Sequence, residues 1–249
     1  LHDVVGLTMP EPRAIFWIYA AVGGTTQIAA TALLVYLFAF RNFAVGTTYS
    51  KTETVQAAIF GIVILGDPLT AGAMIAILIS FIGVLAISAA KQGKGIKGIA
   101  LSLTSKPALI GLASGACFGV SAVSYRAASL SLGGEGFLIQ AGFTLACVTI
   151  MQTVAMASYM RVREPGQIGA VLRNWKIAGV VGLSGMAASA CWFTAMTIQN
   201  AAYVRALGQI ELVFTFAASY LFFKERSSRM ELTGIALVIA GIFVLLLTT

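Results

Sequence analysis

Shifted by 158 positions, the first third of the chain falls on its last third without a gap: Trp17 on Trp175, Asn42 on Asn200, Glu53 on Glu211, Asp67 on Glu225 and Gly83 on Gly241. Whatever the chain folds into must therefore accommodate one block twice. Both copies are long apolar runs. Only 10% of the 249 residues are charged, where a soluble domain carries about 25%, so a water-facing surface cannot be covered. Runs of roughly 20 apolar residues without strict alternation suit helices that span a bilayer rather than the strands of a barrel.

Eight spanning helices are predicted, near 14–40, 43–65, 70–90, 108–130, 136–160, 175–198, 202–223 and 229–248. Their breaks fall at Arg41-Asn42, Gly66-Asp67-Pro68, Lys91 to Lys106, Gly133 to Gly136, Arg161 to Pro165 and Lys224 to Arg229, the residue types that end helices. Helices 14–40, 43–65 and 70–90 match 175–198, 202–223 and 229–248, whereas 108–130 and 136–160 have no upstream mates. The pattern expected is an all-α membrane protein with an inverted five-plus-five repeat, shortened at its N-terminus by about two helices. Its organisation would be 1–90 for the last three helices of a first repeat, 91–107 for a cytoplasmic linker and 108–249 for a complete second repeat. An odd number of helices per copy makes the copies enter the membrane in opposite senses.

Charge placement agrees with inversion. Arg41, then Lys91, Lys94, Lys97 and Lys106, then Arg161, Arg163, Arg173 and Lys176, then Lys224, Arg226 and Arg229 occupy alternate loops, which the positive-inside rule assigns to the cytoplasm. Counting from there puts both ends of the chain outside. The net charge of +7 is thus a topology signal, and no nucleic-acid partner is expected. Cys117, Cys147 and Cys191 lie singly in apolar runs and His2 is the one imidazole. Metal, redox centre and cofactor are accordingly not expected.

Two acids stand inside spans at matched positions, Glu53 and Glu211. A carboxylate near mid-bilayer costs about 2.5–3.5 kcal/mol on insertion scales, so each should face a cavity or a partner. A matched pair suggests a cavity shared by both copies, built to bind a substrate ammonium, exchange a proton, or both. Lys51 and Arg205 are the countercharges. Neither is spaced to reach the glutamate of its own helix, which leaves cross-helix pairing such as Lys51 with Glu211. Helical spacing puts Tyr49, Glu53 and Gln56 on one face, and Gly208, Glu211 and Thr215 on the matching one. Gln27, Tyr36, Gln140 and Trp192 are polar or aromatic positions that could line a pathway; Tyr125-Arg126 reads as an interfacial anchor. Gly179, Gly182, Ala187, Ala188 and Ala190, with Gly24, Ala29, Ala30 and Ala32 at the other copy, read as packing seams.

The stretch from Asn42 to Ala89, with Glu53 and Leu65-Gly66-Asp67-Pro68-Leu69, resembles the EamA domain of the drug/metabolite transporter superfamily. So does Asn200 to Leu247, with Glu211, Phe223-Lys224-Glu225-Arg226 and the closing run Gly234 to Gly241. The first copy departs from the family pattern in carrying Asp67-Pro68 where Glu-Arg is usual, and the second carries Lys224 for a glycine. The resemblance implies a multi-pass protein of the bacterial inner membrane that exports or exchanges a small metabolite. No Walker-type motif is present, so ATP hydrolysis by this chain is not expected. The alternatives are a multidrug efflux pump and, with only one histidine to work with, a membrane-embedded enzyme.

Overall fold

The computed structural model describes residues 10–40, 43–91, 104–134, 136–223 and 228–248. Every regular element among them is helical: α1 (Ala14–Leu37), α2 (Phe43–Ser50), α3 (Glu53–Phe60) continuing into a π-helical stretch (Gly61–Leu65), α4 (Ala71–Lys91), α5 (Lys106–Ser131), α6 (Phe137–Arg163), α7 (Gln167–Arg173), α8 (Trp175–Ile198), α9 (Ala201–Gly208), α10 (Ile210–Phe223) and α11 (Arg229–Thr248). Six of these, α1, α4, α5, α6, α8 and α11, are long and apolar enough to cross a membrane. At about 1.5 Å per residue each covers a hydrocarbon core of about 30 Å. The chain is an integral multi-pass membrane protein.

The predicted spans 43–65 and 202–223 are not continuous. The first is interrupted at Lys51-Thr52 and the second at Gln209, one position on the 158 offset. At the first interruption the amides of Lys51 and Thr52 reach only three residues back, to the carbonyls of Thr48 and Tyr49, and the Thr52 hydroxyl also donates to Tyr49 O at 2.6 Å. A polar run, Thr47 to Thr54, supplies side chains that compete with the helical ladder there. At the second, Gly208 precedes Gln209, whose amide reaches no further back than Ala206 O, three residues away. The π stretch ends at Gly66 with φ of 65°, a left-handed conformation that glycine takes without strain. Helix α7 falls in a connection expected to be a simple break; its exposed Ile168, Val171 and Leu172 follow helical spacing.

Packing divides the chain into two units, the described residues within 1–28 and 124–199, and those within 29–123 and 200–249. Each unit draws on both sequence copies. In the first, Phe16, Ala20, Tyr125, Leu145, Val148 and Phe193 form the core. Tyr125 is therefore a buried packing residue rather than an interfacial anchor, and the Gln152 amide donates to its hydroxyl at 3.2 Å. Arg126 Nη1 donates to the carbonyls of Met196 and Gln199 at 2.9 and 2.8 Å, closing the C-terminal end of α8, where a cation is favoured. The seam expected at Gly179 and Gly182 is absent: an added Cβ at either would meet nothing within 4 Å among the described residues. Its counterpart in the first copy does pack, with Ala30 fully buried in the second unit.

The second unit holds the closest helix approaches. A Cβ on Gly83 would lie 2.6 Å from Gly234 O, and one on Gly241 would lie 2.8 Å from Ala76 O, so α4 and α11 touch backbone to backbone. Gly72 meets Thr248, so the two helices run antiparallel. The contacts are also reciprocal on the 158 offset: Gly83 meets Gly234 and Val238, while Gly241 meets Ala76 and Ser80, the mates of those two positions. Along α5, Gly111, Gly115 and Gly119 receive the interrupted span α2–α3, their absent Cβ atoms facing Gly46 O, Ser50 O and Ala57 N. Small residues four apart let backbones approach in this way.

Candidate functional site

The interruptions place the charged residues of the second unit. Glu53 opens α3 and Glu211 stands in the first turn of α10, each just past its break. A carboxylate in the first turn of a helix is favoured by the free amides there. Arg205 ends α9, in its last turn, and Lys51 lies within the first break. Two ion pairs result, and both cross between the sequence copies. Lys51 pairs with Glu211, and Arg205 Nη1 lies 3.7 Å from Glu53 Oε1. The cross-helix pairing expected of Lys51 and Glu211 is what the structure contains; that of Arg205 with Glu53 is its counterpart, not foreseen as a specific pair.

The pairs differ in environment. The side chains of Arg205 and Glu53 are 15% and 13% exposed, whereas those of Lys51 and Glu211 are 30% and 56% exposed. Arg205 also lies 5.9 Å over the Phe118 ring, a cation–π contact from α5. Polar side chains extend the cluster. Gln209 Nε2 donates to the Thr54 hydroxyl at 3.1 Å, and Gln56 Nε2 donates to the Thr52 hydroxyl at 2.7 Å. Among the described residues, Gln209 Oε1 and Gln56 Oε1 are buried and accept no hydrogen bond. Buried acceptors of this kind are rare enough to need a reason. Asn200 caps α9, its side chain accepting from the Ala202 amide at 2.9 Å. Its mate Asn42 lies outside the described residues.

The single face expected for Tyr49, Glu53 and Gln56 is divided by the break. Tyr49 is buried with Ala89 and Ala108, and Leu112 packs against that cluster. Gln56 reaches Leu112 O at 3.4 Å, so both look toward α5 while Glu53 is held from α9. Thr215 turns its hydroxyl onto Glu211 O of its own helix. Of the wider set, Gln140 donates to the carbonyls of Gly133 and Gly134 at 2.9 and 3.2 Å and so holds a turn together. Tyr36 is half exposed and stacks edge-on against Phe40. Gln27 and Trp192 are half-buried in the first unit. That unit also carries an apolar groove of about 390 Å³ lined by Gln152, Met156, Met160, Ile168, Val171 and Leu172, which contains none of the charged side chains.

Thr52, Thr54 and Gln209 were not singled out from the sequence. Gln209 had a signal: it is the residue that the 158 offset places on Lys51. Chemically the cluster offers two acids, two cations and unmet amide acceptors at the midpoints of interrupted spans, a polar island in an apolar bundle. It has no histidine or thiol among its members, and no group of three or more metal-ligating side chains is present among the described residues.

A sequence model described as the EamA-like transporter family matches residues 105–247. No curated protein matches the chain. Among solved structures, nine chains match; one of them, titled only as the crystal structure of a protein, superposes with a TM-score of 0.68 at 16% identity, covering all of this chain and 82% of that one. At that identity the likeness concerns the fold alone.

Proposed function

The chain belongs to the EamA-like transporter family, and we propose that it is a secondary transporter that moves a small polar or amphipathic metabolite across a bacterial inner membrane by alternating access. Export or exchange is the direction, and an amino-acid-like zwitterion is the cargo class. The architecture proposed is an inverted five-plus-five repeat of which eight spans are present here, two of them the interrupted α2–α3 and α9–α10.

The observation that carries this reading is the pair of crossed ion pairs at matched interruptions. Charges inside spans are tolerated where they line a pathway or pair with one another, and transporters built from inverted repeats bind cargo where discontinuous helices from both repeats meet. Here each copy supplies an acid and a cation, and each acid is held by the cation of the other copy. The antiparallel, reciprocal seam of α4 with α11 supports inversion, because those two helices occupy the same place in the two copies. A mixed-charge cluster suits a zwitterion, whose ammonium and carboxylate could replace the partners that now hold the acids and cations.

The test is an exchange assay in sealed proteoliposomes against a panel of labelled amino acids and small organic ions. Saturable uptake, stimulated by the same compound preloaded inside, is expected for at least one zwitterion. Turnover of a compound in detergent solution without a sealed compartment would replace this reading with an enzyme. Uptake that neither saturates nor responds to preloading would replace it with a channel.

A further inference from the structure

The apolar groove of the first unit is walled by α6, through Gln152, Met156 and Met160, and by the short α7, through Ile168, Val171 and Leu172. No side chain among the described residues fills it, and Met156 and Leu172 remain 39% and 67% exposed. From Gln152 to Met160 the groove runs about 12 Å along α6. With 27 residues, α6 is about 40 Å long, about 10 Å more than a hydrocarbon core. Its charged end, Arg161 to Arg163, marks where the excess emerges into the headgroup layer. The groove thus lies in the outer part of one leaflet and opens toward phosphates.

Cations stand at that opening. Arg163 is three residues past Met160 and seven past Met156, and Arg161 is four past Ala157, another wall residue. Both therefore continue the groove-facing side of the helix. Arg173 directly follows Leu172, and Lys176 is in the first turn of α8. All four are exposed, and none forms an ion pair among the described residues. Glu164 is the one acid between 161 and 176. Topology alone does not account for the residue type. The positive-inside rule counts Lys and Arg alike, and the connection from Lys91 to Lys106 carries four lysines and no arginine. Here three of the four cations are arginine, whose planar fork takes two phosphate oxygens at once.

We propose that this groove binds an anionic phospholipid, one acyl chain lying between α6 and α7 and the headgroup phosphate held by Arg161, Arg163 and Arg173. The two contacts have different roles. A tail gains little by leaving other tails for the groove, because the bilayer is as apolar as the groove wall. The tail contact therefore fixes position, and the phosphate contact sets preference. A zwitterionic lipid is disfavoured, since its own ammonium meets the same cations. Met156 and Met160 are unbranched and flexible, which suits chains of differing unsaturation. Basic sites between helices at the membrane surface hold acidic lipids in this way. The crossed ion pairs lie in the other unit, so the lipid site does not depend on the transporter reading.

Native mass spectrometry of the full chain in non-ionic detergent tests this, titrating dioleoylphosphatidylglycerol against dioleoylphosphatidylcholine. One phosphatidylglycerol should be retained at least about tenfold more tightly than phosphatidylcholine. A cation near a lipid surface contributes about fivefold, so Arg163→Gln with Arg173→Gln should weaken phosphatidylglycerol about 25-fold. Lys94→Gln with Lys97→Gln removes the same charge elsewhere and should change binding by less than about twofold. Ala157→Phe with Leu172→Trp fills the groove at unchanged charge and should abolish the tight site. Equal retention of the two lipids would overturn the proposal. An equal loss in the lysine variant would reduce it to a diffuse positive field. Unchanged binding by the filled variant would leave only an anion site, and a dimer of the parent chain that the filled variant loses would give the groove to a second copy; either result refutes the lipid site.

Discussion

The two crossed ion pairs should couple with different strength, and the structure sets the order. At 3.7 Å, and with the effective dielectric constant of about 20 that suits protein sites, the attraction between Arg205 and Glu53 is about 4.5 kcal/mol before desolvation is counted. Removing both charges from water and fixing both side chains offsets most of it, leaving a coupling of about 1–3 kcal/mol. Lys51 and Glu211 also pair, but more than half of the Glu211 side chain is exposed. Screening and side-chain entropy at so exposed a pair reduce the coupling to about 0.2–1 kcal/mol. Two double-mutant cycles measure this, Glu53→Gln with Arg205→Gln and Lys51→Gln with Glu211→Gln, each followed by far-UV circular dichroism during unfolding of the micelle-bound protein with SDS. A stronger coupling in the Lys51–Glu211 cycle would refute this order, and with it the argument that the more exposed pair is the weaker one.

The glycines of α5 should be far less tolerant than those of α8. Gly111→Ala puts a Cβ 2.0 Å from Gly46 O, so two backbones must part by more than 1 Å, at a cost of at least about 2 kcal/mol in the same unfolding assay. Gly179→Ala meets nothing within 4 Å among the described residues and should be neutral or stabilising by up to about 1 kcal/mol through helix propensity. Asn200→Ala removes the side-chain acceptor that caps α9 and should cost about 1 kcal/mol, with Asn200→Asp retaining most of the stability. Gln140→Leu frees the carbonyls of Gly133 and Gly134; proteolysis at that turn should speed up without a change in transport.

Much of the architecture was legible because apolar length is what the bilayer demands. The six uninterrupted spans begin and end within a few residues of where their apolar runs do, and Gly66, Arg161 and Arg229 mark ends for ordinary reasons of backbone freedom and charge. The interruptions were not legible, because Lys51-Thr52 and Gln209 sit inside segments whose overall hydropathy still reads as one helix. Small residues misled for a different reason. Gly111, Gly115, Gly119 and Gly179, Gly182 carry similar spacing, and only the neighbour decides which stripe is a seam. For the charges, the sequence limited what each could do, by putting Lys51 and Glu53 on different faces. Which acid meets which cation depends on how α3 lies along α9, and that is set by tertiary packing. Gln209 was recoverable in principle from the repeat, which places it on Lys51; the cluster it completes was not.

Flux carried by the glutamine variants bears most directly on the role given to the paired acids. In proteoliposomes loaded with whichever panel compound the wild-type chain exchanges, Glu53→Gln and Glu211→Gln should each lower exchange by at least about tenfold, with the protein inserted and helical to the same extent. Undiminished flux in both variants would strip Glu53 and Glu211 of any part in moving cargo and leave their ion pairs as structural braces.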